Sequence, residues 1–447
     1  MTMSIAMMRM KAMRQRLVYW YSMSRMSRCK KRRMRRKFKR RNSKPRCKFN
    51  EQSWTKMLES PAVKDPLSRE GKYFRRRFRV PYPIFERLLS LVREMKWYGE
   101  SHRSIRLELK MLAVLRRLGR GGSFDDCWDG SGMGEETVRL FFHDFCDKFA
   151  QALYHVYVKP PDSAEDLNKV TTIYKLLGFP GACGSIDCVH IQWDKCPFHL
   201  RSVCTGKEGF PTLAYEACVD HTKKILSVTK SHYGSRNDKT IVKYDDHVMN
   251  VKDEGLYANE KYYLYNENGD LEEHKGLYFI CDGGYHKWKC LQCPMKHTTN
   301  PAAAHFSTNL ESVRKDVEDL FGILKMRFRI LKHAVELHNQ DQIDNVFFTC
   351  CILHNILHHY DGFDTRWEEH ILWDSMDPDD EYDDLYDGPQ QRLIRVRAAH
   401  RVHIHHLVGF IVDDVDTEYT DDYRILRQKL ITHHSVAARK EELCWLT

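Results

Sequence analysis

Apolar residues recur at helical spacing from about residue 73 onward. In FRRRFRVPYPIFERLLSLVREM, Phe85, Leu88, Leu89 and Val92 fall at i, i+3, i+4 and i+7 and make one apolar stripe. That stripe predicts a helix from near Pro83 to about Met95. A second apolar helix over residues 107–118 ends at Gly119 and the pair Gly121 and Gly122, and Ser123 then suits the N-cap of a short helix through Trp128. A turn at 130–134 leads to a third helix over 135–153. Helix, Gly-containing turn and helix outline a helix-turn-helix unit, with the helix from Glu135 in the recognition position. Generic helical packing gives the same pattern, and Glu135 and Glu136 in the first turn of that helix would repel phosphates.

Past a Pro-containing linker at 159–162 the period shortens. Residues 182–193, 212–220 and 224–231 read as three strands, the last two forming a hairpin through Asp220, His221, Thr222 and Lys223. A helix is expected from Asp238, then an irregular Tyr-rich insertion at 256–275 and a fourth strand at 277–281. Long helices follow at 310–329 and 342–358, the second with Ile343, Val346, Phe347, Cys350 and Leu353 at helical spacing. The reading is an α/β domain of strands and helices over 165–362, preceded by an all-α region over 73–158.

Charge changes the picture at the two ends. With 42% hydrophobic and 30% charged side chains, the 447 residues suffice for a buried core, which excludes collagen-like and wholly disordered classes. The net charge of +11 is unevenly placed: residues 1–48 hold 19 Lys and Arg and no acid, so the remainder carries −8. Self-repulsion predicts a disordered basic arm over 1–50. Its densest part includes Lys30, Lys31, Arg32, Arg33, Arg35 and Arg36, which suit DNA phosphates through counterion release; the same run equally suits a nuclear import signal. An acidic, partly disordered C-terminal region is expected over 363–447, with a tract at 374–387 able to fold back on the arm or bind a partner. No stretch approaches the ~20 apolar residues of a membrane helix, and the N-terminus is too polar for a secretory signal, so the expected compartment is intracellular. The 15 cysteines are then reduced thiols. Cys290 and Cys293 form a lone CxxC flanked by His286 and His297, short of a zinc ligand set at suitable spacing, and His400, His403, His405 and His406 read as chance composition.

Three acids stand out. Asp187 lies in an otherwise apolar strand, GSIDCVHIQW, where an ionised carboxylate is costly unless paired, hydrogen-bonded or metal-bound. Asp282 ends the fourth strand, directly before Gly283 and Gly284, and Glu318 lies on a helix whose buried side is Val317, Leu320, Phe321 and Leu324. Convergent carboxylates from two strands and a helix suit Mg²⁺ or Mn²⁺, which prefer oxygen donors and are completed by water and substrate phosphates. Each acid alone also has a structural reading as a satisfied buried Asp, a turn opener or one charge on an exposed helix face.

The ordered segments ACGSIDCVHIQWDKCP, TGKEGFPTLAYEACVD, SHYGSRNDKTIVKYD, YFICDGGY, ESVRKDVEDLFGILKMRFRIL and CCILHNIL resemble the PIF/Harbinger superfamily of DDE transposases, especially its plant transposon branch, over residues 73 to 362. The resemblance implies an RNase H-like catalytic domain and a metal-dependent DNA nuclease or transposase that cleaves and joins phosphodiester bonds at transposon ends. It implies Asp187, Asp282 and Glu318 as catalytic and metal-binding residues, with two Mg²⁺ or Mn²⁺ ions that Asp187 bridges. Glu311, one heptad before Glu318, is the rival that misses the motif. Asn237 and Asp238 match an Asn-Asp element expected to cap the next helix, with a structural role favoured over a catalytic one. Cys188 stands where many relatives have Gly. Arg314, Lys325 and Arg327 are candidates to hold DNA phosphates near the ions. Implied partners are double-stranded DNA at transposon termini and target, a Myb-like accessory protein and a second copy in a homodimer; the implied compartment is the nucleus. The alternative function is a domesticated, catalytically silent DNA-binding or adaptor protein.

Overall fold

Helix caps and glycines divide the N-terminal region into successive helices. The computed structural model describes residues 51–101, 104–253, 255–364 and 421–443. Helix α1 (Arg69–Phe78) starts at Ser68, whose hydroxyl accepts the Gly71 N–H at 2.9 Å, and stops at Arg79 in the left-handed conformation. Helix α2 (Tyr82–Glu94) buries Phe85, Leu88, Leu89 and Val92, the stripe seen in the sequence. Helix α3 (Leu107–Arg120) runs past Gly119 and ends at Gly121, whose φ of 69° is the usual device for closing a helix. Ser123 and Asp126 then exchange side-chain and backbone hydrogen bonds at the next turn. Helix α4 (Glu135–Tyr157) continues four residues beyond its expected end.

The central sheet has the order β3-β2-β1-β7-β8, with β4 pairing β2. Strands β1 (Ala182–Gln192), β2 (Thr212–Val219) and β3 (Ile225–Val228) are antiparallel neighbours. After β4 (His232–Tyr233), strands β7 (Tyr278–Ile280) and β8 (Leu291–Gln292) add to β1 in parallel. The insertion expected to be irregular is a hairpin of β5 (Lys261–Tyr265) and β6 (Leu271–Lys275). Tyr262 and Leu264 are buried while Lys261 and Tyr263 are exposed, a period of two that the run of tyrosines concealed.

Helix α5 (Ala164–Leu176) precedes β1, capped by Ser163, which accepts the Asp166 N–H at 3.1 Å. After the sheet come α6 (Pro301–Arg327), which begins nine residues before its expected start, and α7 (Gln340–Tyr360). Asn300 explains the early start, since its Oδ1 accepts the Ala302 N–H at 2.9 Å ahead of Pro301 at N1. Helix α8 (Asp421–Arg439) packs on β5 and α6, burying Tyr423, Leu426, Leu430 and Ile431.

The helical region and the sheet share one apolar cluster, containing Phe85, Leu112 and Phe145 together with Val189, Leu213, Tyr215 and Phe347. Helix α4, placed by the sequence in the recognition position, packs along α7: Asn345 Nδ2 donates to Asp147 at 3.0 Å, and the Tyr154 and Phe348 rings lie 4.9 Å apart. Its Tyr154 hydroxyl also donates to the Val228 carbonyl at 2.5 Å, tying it to the sheet edge. Beneath it Tyr215 and Phe347 stack at 4.0 Å, a contact worth about 1 kcal/mol beyond its area. No helix among the described residues is long and apolar enough to cross a membrane.

Candidate active site

The adjacent strands β1 and β7 bring Asp187 and Asp282 to one end of the sheet. Asp187 Oδ1 accepts the Cys188 N–H at 2.8 Å, and Oδ2 accepts Arg314 Nη1 at 3.3 Å. Burial pushes this carboxyl up to about 7; the Cys188 amide opposes the shift, the charges of Asp282 and Asp238 add to it, and Arg314 opposes it. Asp282, just past β7, accepts the Gly284 N–H at 2.8 Å.

Gly284 is where a third acid enters. A Cβ at this position would lie 3.0 Å from Asp282 Oδ1 and 3.4 Å from Asp238 Oδ2. Asp238 opens a short helix, Asp238–Ile241, and the cap is Asn237, which accepts the Thr240 N–H at 2.9 Å. The capping expected of this pair is therefore done by Asn237, while Asp238 turns its carboxylate toward Asp282.

Glu318 approaches from α6, held by the burial of Val317, Leu320, Phe321 and Leu324 while its own side chain is 47% exposed. Arg314, one turn earlier and only 9% exposed, lies 2.8 Å from Glu318 and 2.6 Å from Glu311 in addition to its contact with Asp187. Burial works to lower this guanidinium, but Glu311 and Glu318 outweigh it and hold it above its ordinary value. Arg314 is thus committed to three acids. Lys325 donates to the His190 carbonyl at 3.2 Å, and Arg327 Nη1 lies 3.3 Å from His354 Nδ1. Lys30, Lys31, Arg32, Arg33, Arg35 and Arg36 lie outside the described residues, as do the acidic tract at 374–387 and the histidines at 400–406.

One acid of this cluster was missed in the sequence. Glu216 of β2 sits opposite Cys188 and is fully buried; its Oε2 is 3.9 Å from Cys188 Sγ, and its Oε1 has no hydrogen-bond partner. Burial, then the Asp245 charge, push its carboxyl well up, with Tyr285 opposing and Asp238 and Asp187 adding. The available signal was the one that marked Asp187, a carboxylate inside an apolar strand.

Carboxylate oxygens suit a hard divalent cation in kind; the Asp187 carboxyl is raised chiefly by burial, with Asp282 and Asp238 adding smaller shares. As placed, no three His, Cys, Asp or Glu among the described residues are close enough to share one ion. Arg314 supplies the positive charge at Asp187 and Glu318. The CxxC pair lies elsewhere: Cys293 Sγ is 2.9 Å from Lys287 Nζ and 3.3 Å from the Tyr423 hydroxyl, while the His286 ring stacks on Trp288.

Residues 155–362 match the plant transposon protein family. A 299-residue alignment with Protein ALP1-like of Arabidopsis thaliana is 23% identical and covers 65% of this chain and 71% of that protein. Residues 155–362 are thus similar to Harbinger-type, transposase-derived proteins. Similarity extends to the proteins named Putative nuclease HARBI1 of Bos taurus, 22% identical over 63% of this chain and 76% of that one, and of Homo sapiens, 21% identical over 57% and 68%. No solved structure matches. The interval matching the plant transposon family contains Asp187, Glu216, Asp238, Asp282, Arg314 and Glu318, so the whole acid cluster lies within the matched interval.

Proposed function

We propose that this protein is a metal-dependent DNA nuclease of the transposase type, cutting and joining phosphodiester bonds with Asp187, Asp282 and Glu318 as its catalytic acids. The observation that carries the reading is the meeting of Asp187, Asp282 and Asp238 at one end of the sheet, with Glu318 tied to Asp187 through Arg314. The order β3-β2-β1-β7-β8, antiparallel on one side of β1 and parallel on the other, with an acid-bearing helix after it, supports an RNase H-like domain. The nuclease names of the HARBI1 relatives support the same reaction class.

In this reading Asp187, Asp282 and Glu318 would hold Mg²⁺ or Mn²⁺, with Asp238 beside them. A bound metal would supply Lewis acidity toward the phosphoryl oxygens and toward a water or 3′-hydroxyl. The protein's own part is positional. The Cys188 and Gly284 amides fix the rotamers of Asp187 and Asp282, and the buried face of α6 fixes Glu318. Arg314 compensates the acids and is placed to meet a phosphate once they are otherwise neutralised. Duplex DNA, a nuclear location and a Myb-like partner belong to the same proposal.

The test is incubation of the full chain with supercoiled plasmid carrying its own flanking DNA, with Mg²⁺, Mn²⁺ or EDTA, beside Asp282→Asn. Nicking that needs both metal and Asp282 is expected. Cleavage by the variant, or none under any metal while DNA binding persists, would count against the reading. The second outcome is that of a silent DNA-binding descendant, which the existing neutralisation of Asp187 and Glu318 by Arg314 favours.

A further inference from the structure

Three elements deliver arginines to one place: α1, α3 and the turn Arg329–Leu331 that follows α6. Arg79, left-handed at φ 67°, lies across Gly119, where a methyl group would come 2.7 Å from Arg79 Cγ. Gly121 brings the end of α3 against the Arg329 backbone, with space for a Cβ only 3.0 Å from that carbonyl oxygen. The charges that act on Arg79 include Arg329, Arg120 and Arg76, and those on Arg116 include Arg77 and Arg120. Burial first, and these like charges second, hold both guanidiniums below their ordinary value.

Arg76 and Arg77 lie over the Tyr73 ring at 5.8 and 6.0 Å, and Arg77 donates to its hydroxyl at 3.0 Å, but these contacts bring no negative charge. Neighbouring Arg75 is paired with Asp361 at 2.6 Å and Arg314 with three acids, but Arg76, Arg79, Arg116, Arg120 and Arg329 have no ion-pair partner among the described residues. The Nε atoms of Arg77 and Arg79 are buried without a hydrogen-bond partner. Arg76, Arg120 and Arg329 are exposed, so an incoming anion can reach the cluster. Guanidiniums brought together at a cost in repulsion and left unpaired are a site for an anion with several acceptor oxygens, which their forked donors fit.

We propose that Arg76, Arg77, Arg79, Arg116, Arg120 and Arg329 bind backbone phosphates of duplex DNA. The choice of DNA rests on the nuclease reading; the anion chemistry does not. Position supports it: Arg329 follows directly on α6, and nine residues of that helix separate Glu318 from Arg327, ~14 Å at helical rise, less than the ~34 Å of one duplex turn.

The experiment measures binding of the full chain to a short labelled duplex in EDTA, where cleavage plays no part, across ~50 to ~200 mM salt. Joint replacement Arg76→Gln, Arg120→Gln and Arg329→Gln, all at exposed positions, is expected to make the slope of log affinity against log salt shallower by ~2 to 3. Lysine at the same positions should retain most of the slope, since the counterion term depends on charge. An unchanged slope in a variant with wild-type circular dichroism and thermal midpoint overturns the proposal. Absence of duplex binding by the wild type overturns it as well. A shallower slope in a protein that fails the plasmid test sustains the site while the nuclease reading falls.

Discussion

Arg314 donates from Nη1 to Asp187 Oδ2 at 3.3 Å, linking α6 to β1. The same guanidinium holds Glu318 and Glu311, so it does the neutralising that a divalent cation would do. Removing it leaves Glu311, Glu318 and the ionised fraction of buried Asp187 uncompensated. Arg314→Met should therefore destabilise the protein in EDTA by about 2–4 kcal/mol, toward the lower end because Glu318 is half exposed. Millimolar Mg²⁺ should then restore more stability to the variant than it adds to the wild type. Urea unfolding with and without Mg²⁺ reads both numbers; equal Mg²⁺ effects in the two proteins would remove the competition between Arg314 and a cation.

Glu318 and Glu311 share Arg314, and their separation of 2.8 and 2.6 Å from its Nη2 does not rank them. The proposed function does. Glu318→Gln should lower metal-dependent nicking by at least ~10²-fold with DNA affinity unchanged, whereas Glu311→Gln, acting only by positioning Arg314, should cost ~10-fold. Quantitative plasmid nicking of the two variants side by side decides it, and a larger loss from Glu311→Gln would move the third catalytic acid one heptad earlier.

Gly284 carries no positive φ, so its smallness matters for space alone. A methyl group there sits 3.0 Å from Asp282 Oδ1 and 3.4 Å from Asp238 Oδ2, and the carboxylates must give way by a few tenths of an ångström. Gly284→Ala should fold with a thermal midpoint near that of the wild type yet nick DNA ~10-fold more slowly, since misplacement of reacting groups by 1 Å costs up to ~10²-fold. A wild-type rate in this variant would show that Asp238 and Asp282 need not be held together.

What was legible in the chain follows from the range of each interaction. The stripe Phe85, Leu88, Leu89 and Val92, and the short apolar runs of β1 and β2, are local patterns, and the elements they predict are present. Helix α5 and the β5–β6 hairpin were not resolved, although Ser163 three residues before Asp166 and buried Tyr262 and Leu264 at period two mark them in retrospect. Helix α8 could not be read as part of the fold because its amphipathic face acquires meaning only against β5 and α6. At the site, acids in unusual local surroundings were visible. The commitments of Arg314 and the inward turn of Asp238 depend on contacts between segments far apart in sequence, which no spacing encodes.

Asn355, in the segment CCILHNIL, is such a long-range clamp. Its Oδ1 accepts the Ile225 N–H at 3.0 Å, and its Nδ2 donates to the carbonyls of Ile225 at 2.8 Å and Tyr157 at 2.7 Å. One amide thus satisfies backbone groups of the edge strand β3 and the end of α4. Asn355→Ala should destabilise by about 2–4 kcal/mol, because buried backbone groups lose their partners as well as the bond itself. Asn355→Asp keeps the acceptor but loses the donors, and should do no better. Urea unfolding midpoints check both; a loss below about 1 kcal/mol in the alanine variant would mean that water replaces the side chain.

His247, on the helix Asp246–Asp253, is 3% exposed and packs its ring edge-on against Tyr257 and Phe279 at 5.3 and 5.0 Å. Neither ring nitrogen has a hydrogen-bond partner, and burial lowers the imidazole from 6.5 to about 4. The unfolded chain therefore binds the proton first as pH falls, so stability present above pH 6.5 is lost as pH drops toward 4. His247→Phe fills nearly the same space, removes two desolvated nitrogens and removes the titration. At neutral pH it should be more stable than the wild type by about 1 kcal/mol. At pH ~5 the advantage should widen by about 2 kcal/mol, the linkage expected between those two pKa values. Urea unfolding of both proteins at the two pH values measures the difference of differences; a constant gap would mean that the folded protein accommodates a charged imidazole between Tyr257 and Phe279.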